Sequence, residues 1–243
     1  MKKITALFLV ISLIVCTIGF SGCQKISNYD SFVAACKKTN DLKTIECDMN
    51  MKISVGMSGV NMDVTAGGNI KIDKTTEKPR IITALNFVLM GQTVNVNSYF
   101  ENGYSYTDSL GQKIKAKTTY EEFEKQASTD FLEFKEEDII EASFKKENGT
   151  EIYTVKISGA KISDILKNKL GNTEELLGGK AEDTAFSDVE ATFKLKDGYV
   201  IEQNLKFDAT MKLEIPSLTG DSSSTKTDMT MKLDITVTMK NPG

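Results

Sequence analysis

From Val189 to Met239 the chain alternates apolar and polar residues, and this period of two is what most restricts its fold. Val189, Ala191, Phe193 and Leu195 alternate with Glu190, Thr192, Lys194 and Lys196, and Asp197-Gly198 then turns the chain. Tyr199, Ile201, Leu205, Phe207, Ala209, Met211, Leu213 and Ile215 form the next apolar set. After a polar loop at Thr219–Lys226 the pattern resumes at Met229, Met231, Leu233, Ile235, Val237 and Met239. Successive side chains of a strand point to opposite faces, so each segment makes a strand with one apolar and one wet face. A strand from Tyr199 to Ile215 would span about 55 Å if straight, so it must twist, curve or break.

The same period runs upstream. Met49, Met51, Ile53, Val55 and Met57 predict one strand, and Val60, Met62, Val64 and Ala66 its hairpin partner across Ser58-Gly59. Gly67-Gly68 is expected to break or bulge that partner. Arg80 to Met90 is apolar on both sides and reads as a strand covered on both. Asn102-Gly103 and Asn148-Gly149 are strong hairpin turns, and Ile114 and Ala116 mark a short strand among lysines. Three helices are expected. One is capped at Asp30 or Ser31 with Phe32, Ala35, Cys36 and Thr39 on one face. One starts at the capping box Thr119–Glu122, and one at Ser163. Gly171 to Ser187 reads as a polar connector. About ten strands with one apolar face each must cover that face. The expected fold is α+β and mainly antiparallel: a strongly curved open sheet, or half-barrel, with two or three short helices packed in its concave face.

The N-terminus is an address. Lys2 and Lys3 precede an apolar run from Ile4 to Phe20, and Ser21-Gly22-Cys23 follows. This is the pattern of a secretory signal peptide, and its end resembles the bacterial lipobox, which makes Cys23 the lipidated residue. Residues 1–22 are then the signal peptide, 23–30 a short tether and 31–243 a single β-rich domain, with 221 of the 243 residues left after cleavage. Loss of Lys2 and Lys3 takes the net charge from −4 to −6. Such a chain is held to the membrane by N-terminal acyl chains rather than by attraction to anionic head groups. Gln24 to Asn28 reach about 17 Å when extended, which keeps the domain near the bilayer. The expected location is the extracytoplasmic face of a bacterial cell membrane.

Outside the cytoplasm, Cys36 and Cys47 are either a disulfide or two buried thiols. A bridge closing that loop would add roughly 3 kcal/mol.

The sequence contains no histidine. Ser-His-Asp and Cys-His nucleophile systems and histidine-containing zinc sites are therefore excluded. The acidic pairs, such as Glu121-Glu122 and Glu174-Glu175, read as wet faces, and no calcium or phosphate loop is present. No catalytic residue, metal ligand or cofactor is assigned. A sequence pI near 5.2 argues against nucleic acid as a partner.

An acylated Cys23, a helix, paired strands, Glu101–Tyr106 (ENGYSY), a helical insertion and a final meander with Lys196–Phe207 (KDGYVIEQNLKF) follow in order. That order resembles the LolA/LolB-like superfamily and its LppX/LprG-like lipoproteins. The resemblance implies an unclosed curved sheet whose helices plug an apolar cavity that takes acyl chains. Met49, Met51, Met57, Met62, Phe207, Met211, Met229 and Met231 all fall on predicted apolar faces, and flexible thioethers suit a variable apolar ligand. The expected function is non-catalytic binding of a lipid or other apolar ligand. The alternative is a tethered interaction or sensor module with a plugged core, its protein partner unnamed.

Overall fold

The computed structural model describes residues 20–21, 29–76, 80–89, 91–119, 134–135, 139–161, 180–216, 224–240 and 242. Helix α1 spans Tyr29–Asn40. The strands are β1 (Thr44–Met57), β2 (Val60–Asp73), β3 (Arg80–Leu89), β4 (Gln92–Glu101), β5 (Tyr104–Ser109) and β6 (Gln112–Lys117). They continue with β7 (Ile139–Glu147), β8 (Thr150–Ile157), β9 (Lys180–Phe186), β10 (Val189–Lys196), β11 (Tyr199–Pro216) and β12 (Ser224–Met239).

These strands form one antiparallel sheet in the order β6-β5-β4-β3-β2-β1-β12-β11-β10-β8-β7, with β9 beside β11. The sheet is open, with β6 and β7 at its ends. Apart from it, a two-residue parallel pairing joins Phe20–Ser21 to Phe134–Lys135. The tight turns place a non-glycine residue and then glycine at positive φ, as at Asn102–Gly103 (52° and 80°) and Asp197–Gly198 (54° and 76°). Two positive φ values give the turn the twist of its flanking strands. Leu110 takes the same conformation (φ 52°) without the side chain that usually allows it.

The sheet separates its residues by face. Cys47, Met49, Ile70, Ile81, Leu85 and Phe87 are among those buried on the apolar side, and charged side chains such as Lys206 and Asp234 (3.8 Å) pair on the other. β3 corrects its expectation: Ile82 and Val88 are 39% and 38% exposed, so only one of its faces is covered. The run through Gly67–Gly68 also continues without a bulge, in unbroken register from Thr44↔Asp73 to Met57↔Val60.

Two further corrections concern the last third. Within the expected polar connector, Lys180–Phe186 is a strand that pairs with the distal half of β11, from Lys180↔Glu214 to Phe186↔Ala209. The proximal half of β11 pairs with β10 instead. The long strand therefore keeps a neighbour on both sides although it outruns β10. A register shift beside Leu195 also turns Val200 inward, 8% exposed, where the simple alternation had Tyr199 and Ile201.

Helix α1 buries the predicted stripe of Phe32, Ala35, Cys36 and Thr39. It packs on β8, β10 and β11 in one core cluster, with the Phe32 ring against Tyr153 (4.9 Å between centroids) and Phe193 (5.0 Å). Thr39 Oγ1 donates to the Ala35 carbonyl (2.7 Å) and accepts from the Val200 amide (2.9 Å), which ties the helix C-terminus to β11. A second cluster is built from β1 to β4 and β12. The helices expected from Thr119 and Ser163 lie outside the described residues, except that residues 159–161 begin a helical turn.

Candidate functional site

The cross-strand register collects the predicted methionines at one end of the apolar face. Met211, Met229 and Met57 stand side by side on β11, β12 and β1. In the next row Met231 and Met62 flank Val55. Met211 and Met229 are 8% and 9% exposed, and Met57 is 39% exposed at the sheet end. Met49 and Met51 are separate from these rows, buried among Ile, Leu and Phe side chains in the second cluster. Phe207 packs against both large clusters and lies 6.1 Å from Phe186.

Gln203, which the sequence reading passed over, lies on the same face. It is 6% exposed and stands in register between Phe193 on β10 and Val237 on β12. Phe193 belongs to the cluster under α1 and Val237 to the second, so Gln203 marks the seam between them. Its side-chain NH2 has no acceptor, the one such buried atom among the described residues. An unsatisfied buried donor costs about 1–3 kcal/mol. The buried polar pair on β3 and β4 differs, since Thr83 and Ser98 hydroxyls bond each other at 2.6 Å. The sequence held a signal for Gln203: it is a polar residue at an apolar position in the alternation between Ile201 and Leu205.

Cys23 lies outside the described residues. Cys36 and Cys47 are unbridged and buried, the first in the cluster under α1 and the second in the cluster of β1 to β4. Of the two states left open by the sequence, the structure holds unbridged thiols, because each side chain packs into a different core. Burial pushes the Cys36 thiol up to about 12. Burial, and then the charge of Glu151, pushes Tyr153 up to about 12 as well. Both groups are ionised more easily in the unfolded chain, near pH 9 and 10. Their contribution to stability is therefore full below pH 9 and is lost as pH rises towards 12. Urea midpoints should fall steadily from pH 8.5 to 11 (about the span between these two limits). A flat profile over that range would show that neither group is held protonated by the fold.

Cavities lined by described residues include the following. One of about 500 Å³ is bounded by Ser31, Lys38 and Glu151 near the Asp197–Gly198 turn. One of about 490 Å³ opens on the polar face around Gly67. One of about 380 Å³ lies between Lys71, Arg80 and Lys240.

No family model matches the sequence, and no curated protein matches it. Solved structures do. The Mycobacterium tuberculosis lipoprotein LppX is 9% identical with a TM-score of 0.40, over 88% of this chain and 95% of that one. LprF from Mycobacterium bovis is 9% identical with a TM-score of 0.42, over 87% and 90%. A DUF1329 family protein from Desulfovibrio piger is 7% identical with a TM-score of 0.23, over 88% and 91%. LppX, named among the lipoproteins that the sequence resembles, is thus one of the structures to which this chain is similar.

Proposed function

We propose that the chain is an extracytoplasmic lipoprotein, tethered to the membrane through acyl chains on Cys23. In this reading it binds a lipid or other apolar ligand, without catalysis, on the apolar face of a curved half-barrel. The observation that carries it is Gln203. A buried amide with an unmet NH2, set in an apolar face, suits a ligand that is mostly hydrocarbon but has one acceptor, such as an ester carbonyl. The methionine rows further along the same face, in register with Ala209 and Met211 of β11, can repack around chains of different length.

The test is native mass spectrometry of the Cys23→Ala chain purified from cells, alone and with Gln203→Leu. Lipid should co-purify with the first and be reduced about tenfold in the second, the equivalent of one lost hydrogen bond. The ligand-free Gln203→Leu chain should also be about 1–2 kcal/mol more stable, because the unpaired donor is gone. An empty chain in both forms would reject the ligand and favour the interaction module. For the tether, Cys23→Ala should move the chain out of the membrane fraction.

A further inference from the structure

The polar face carries a row of residues that strand formation does not favour. Asn95, Asn86, Gly67 and Asn50 stand directly beside one another on β4, β3, β2 and β1, and Thr236 of β12 continues the row. It runs on through Asn204, Thr192 and Thr154, again without a charge. Asparagine and glycine are depleted in strands, and glycine in a strand interior weakens it. Three asparagines and a glycine at one level of four adjacent strands therefore cost stability, and a strand-forming threonine would serve a merely wetted surface better.

The free hydrogen-bonding groups are confined to one part of the row. The Asn204 NH2 is engaged, donating to Asp234 (2.7 Å) and Thr236 (2.8 Å). Asn50, Asn86 and Asn95 make no side-chain hydrogen bond among the described residues. Each of these amides offers two donors and an acceptor. The cavity of about 490 Å³ lies over the first two, bounded by Asn50, Thr65, Gly67, Asn86 and Thr236, with Lys52 and Asp234 at its side. Gly67 keeps it open. A Cβ there would meet only Asn50 Oδ1 at 3.4 Å and the Met49 carbonyl at 3.8 Å, so packing does not require glycine. Its φ is not in the left-handed range either. Exposed apolar surface adjoins the row at Val88, 38% exposed, which also lines the cavity. The row spans about 14 Å across its first four strands.

The geometry points to a shallow binding trough for a neutral glycan strand lying across β4 to β1. Its hydroxyls would exchange hydrogen bonds with the free amides, and its C–H faces would rest on Val88. The row itself carries no charge, and Lys52 and Asp234 beside it are cross-strand partners of opposite sign, so the site has no net charge to recruit an anionic polymer or a lipid head group and favours an uncharged polyhydroxyl chain. This trough is on the opposite side of the sheet from Gln203 and does not depend on the lipid reading.

The experiment is calorimetric titration of the full chain, held in a non-glycosidic detergent, with chitohexaose and with cellohexaose. At least one should bind saturably, with an affinity unchanged by added salt. Gly67→Thr, which fills the hollow, and Asn86→Thr, which removes an amide, should each weaken binding at least about tenfold. Neither should lower the melting temperature or the lipid content of the chain. If one variant unfolds, the other decides. Failure of both glycans to bind, salt-sensitive binding, or undiminished binding by the folded variants would each overturn the proposal.

Discussion

Phe32→Ala is expected to destabilise the protein by about 3–5 kcal/mol and to release α1 from the sheet. A helix of 12 residues is marginal in water by itself, so α1 depends on what it buries. Phe32 is fully buried and is the largest side chain of its stripe. Its ring stacks on Tyr153 and meets Phe193 edge-on, contacts that add to the hydrophobic term. Truncation leaves a cavity between the helix and two aromatic rings, neither of which can move without disturbing a strand. The domain's whole stability is on the order of 5–15 kcal/mol, so this loss is a large share of it. Urea denaturation followed by circular dichroism would measure it. A cost under about 1 kcal/mol would mean that α1 is held chiefly by the Thr39–Val200 bond and not by its apolar stripe.

Helix, hairpins and faces were legible in the sequence because each has a local cause. The helical stripe follows from spacing, and the turns at Asn102–Gly103, Asn148–Gly149 and Asp197–Gly198 follow from residues that tolerate positive φ. What escaped the reading depends on partners distant in the chain. Lys180–Phe186 is a polar stretch that becomes a strand only because β11 outruns β10 and offers a free edge. The exposure of Ile82 and Val88 could not be read from β3, since whether a second layer covers a face is decided elsewhere. The methionines were placed correctly on the apolar side, but alternation alone cannot say which of them share a row. Register does, and it divides Met57, Met211 and Met229 from Met49 and Met51.

The same holds for the candidate sites. Gln203 was visible as a break in alternation, yet its meaning rests on the burial and lack of a partner that only the packed sheet reveals. The amide row was invisible, because its members come from strands far apart in sequence. The two faces carry different chemistry: one is apolar with a single unmet donor, the other is polar, with an uncharged row of free amides among its ion pairs.

Gly68→Ala is expected to cost more than about 3 kcal/mol and to leave much of the protein unfolded, whereas Gly67→Ala should be neutral or stabilising by up to about 1 kcal/mol. The two glycines are adjacent on β2 but face opposite sides of the sheet. A Cβ on Gly68 would collide with the Ala84 carbonyl oxygen and lie 2.8 Å from Leu85 Cα. Both are backbone atoms of β3 within the β2–β3 ladder, so relief requires the strands to separate. A bulge would relieve it, but the register is unbroken there, and a bulge would turn Ala66 or Ile70 out of the core. At Gly67 the nearest contacts are ordinary, and alanine lowers the entropy of the unfolded chain. Melting temperatures of the two variants decide the matter. Equal losses would mean that both glycines serve the backbone. The expected contrast assigns Gly68 to packing and leaves Gly67 without a structural reason, which is the condition for the trough it keeps open to be a binding site.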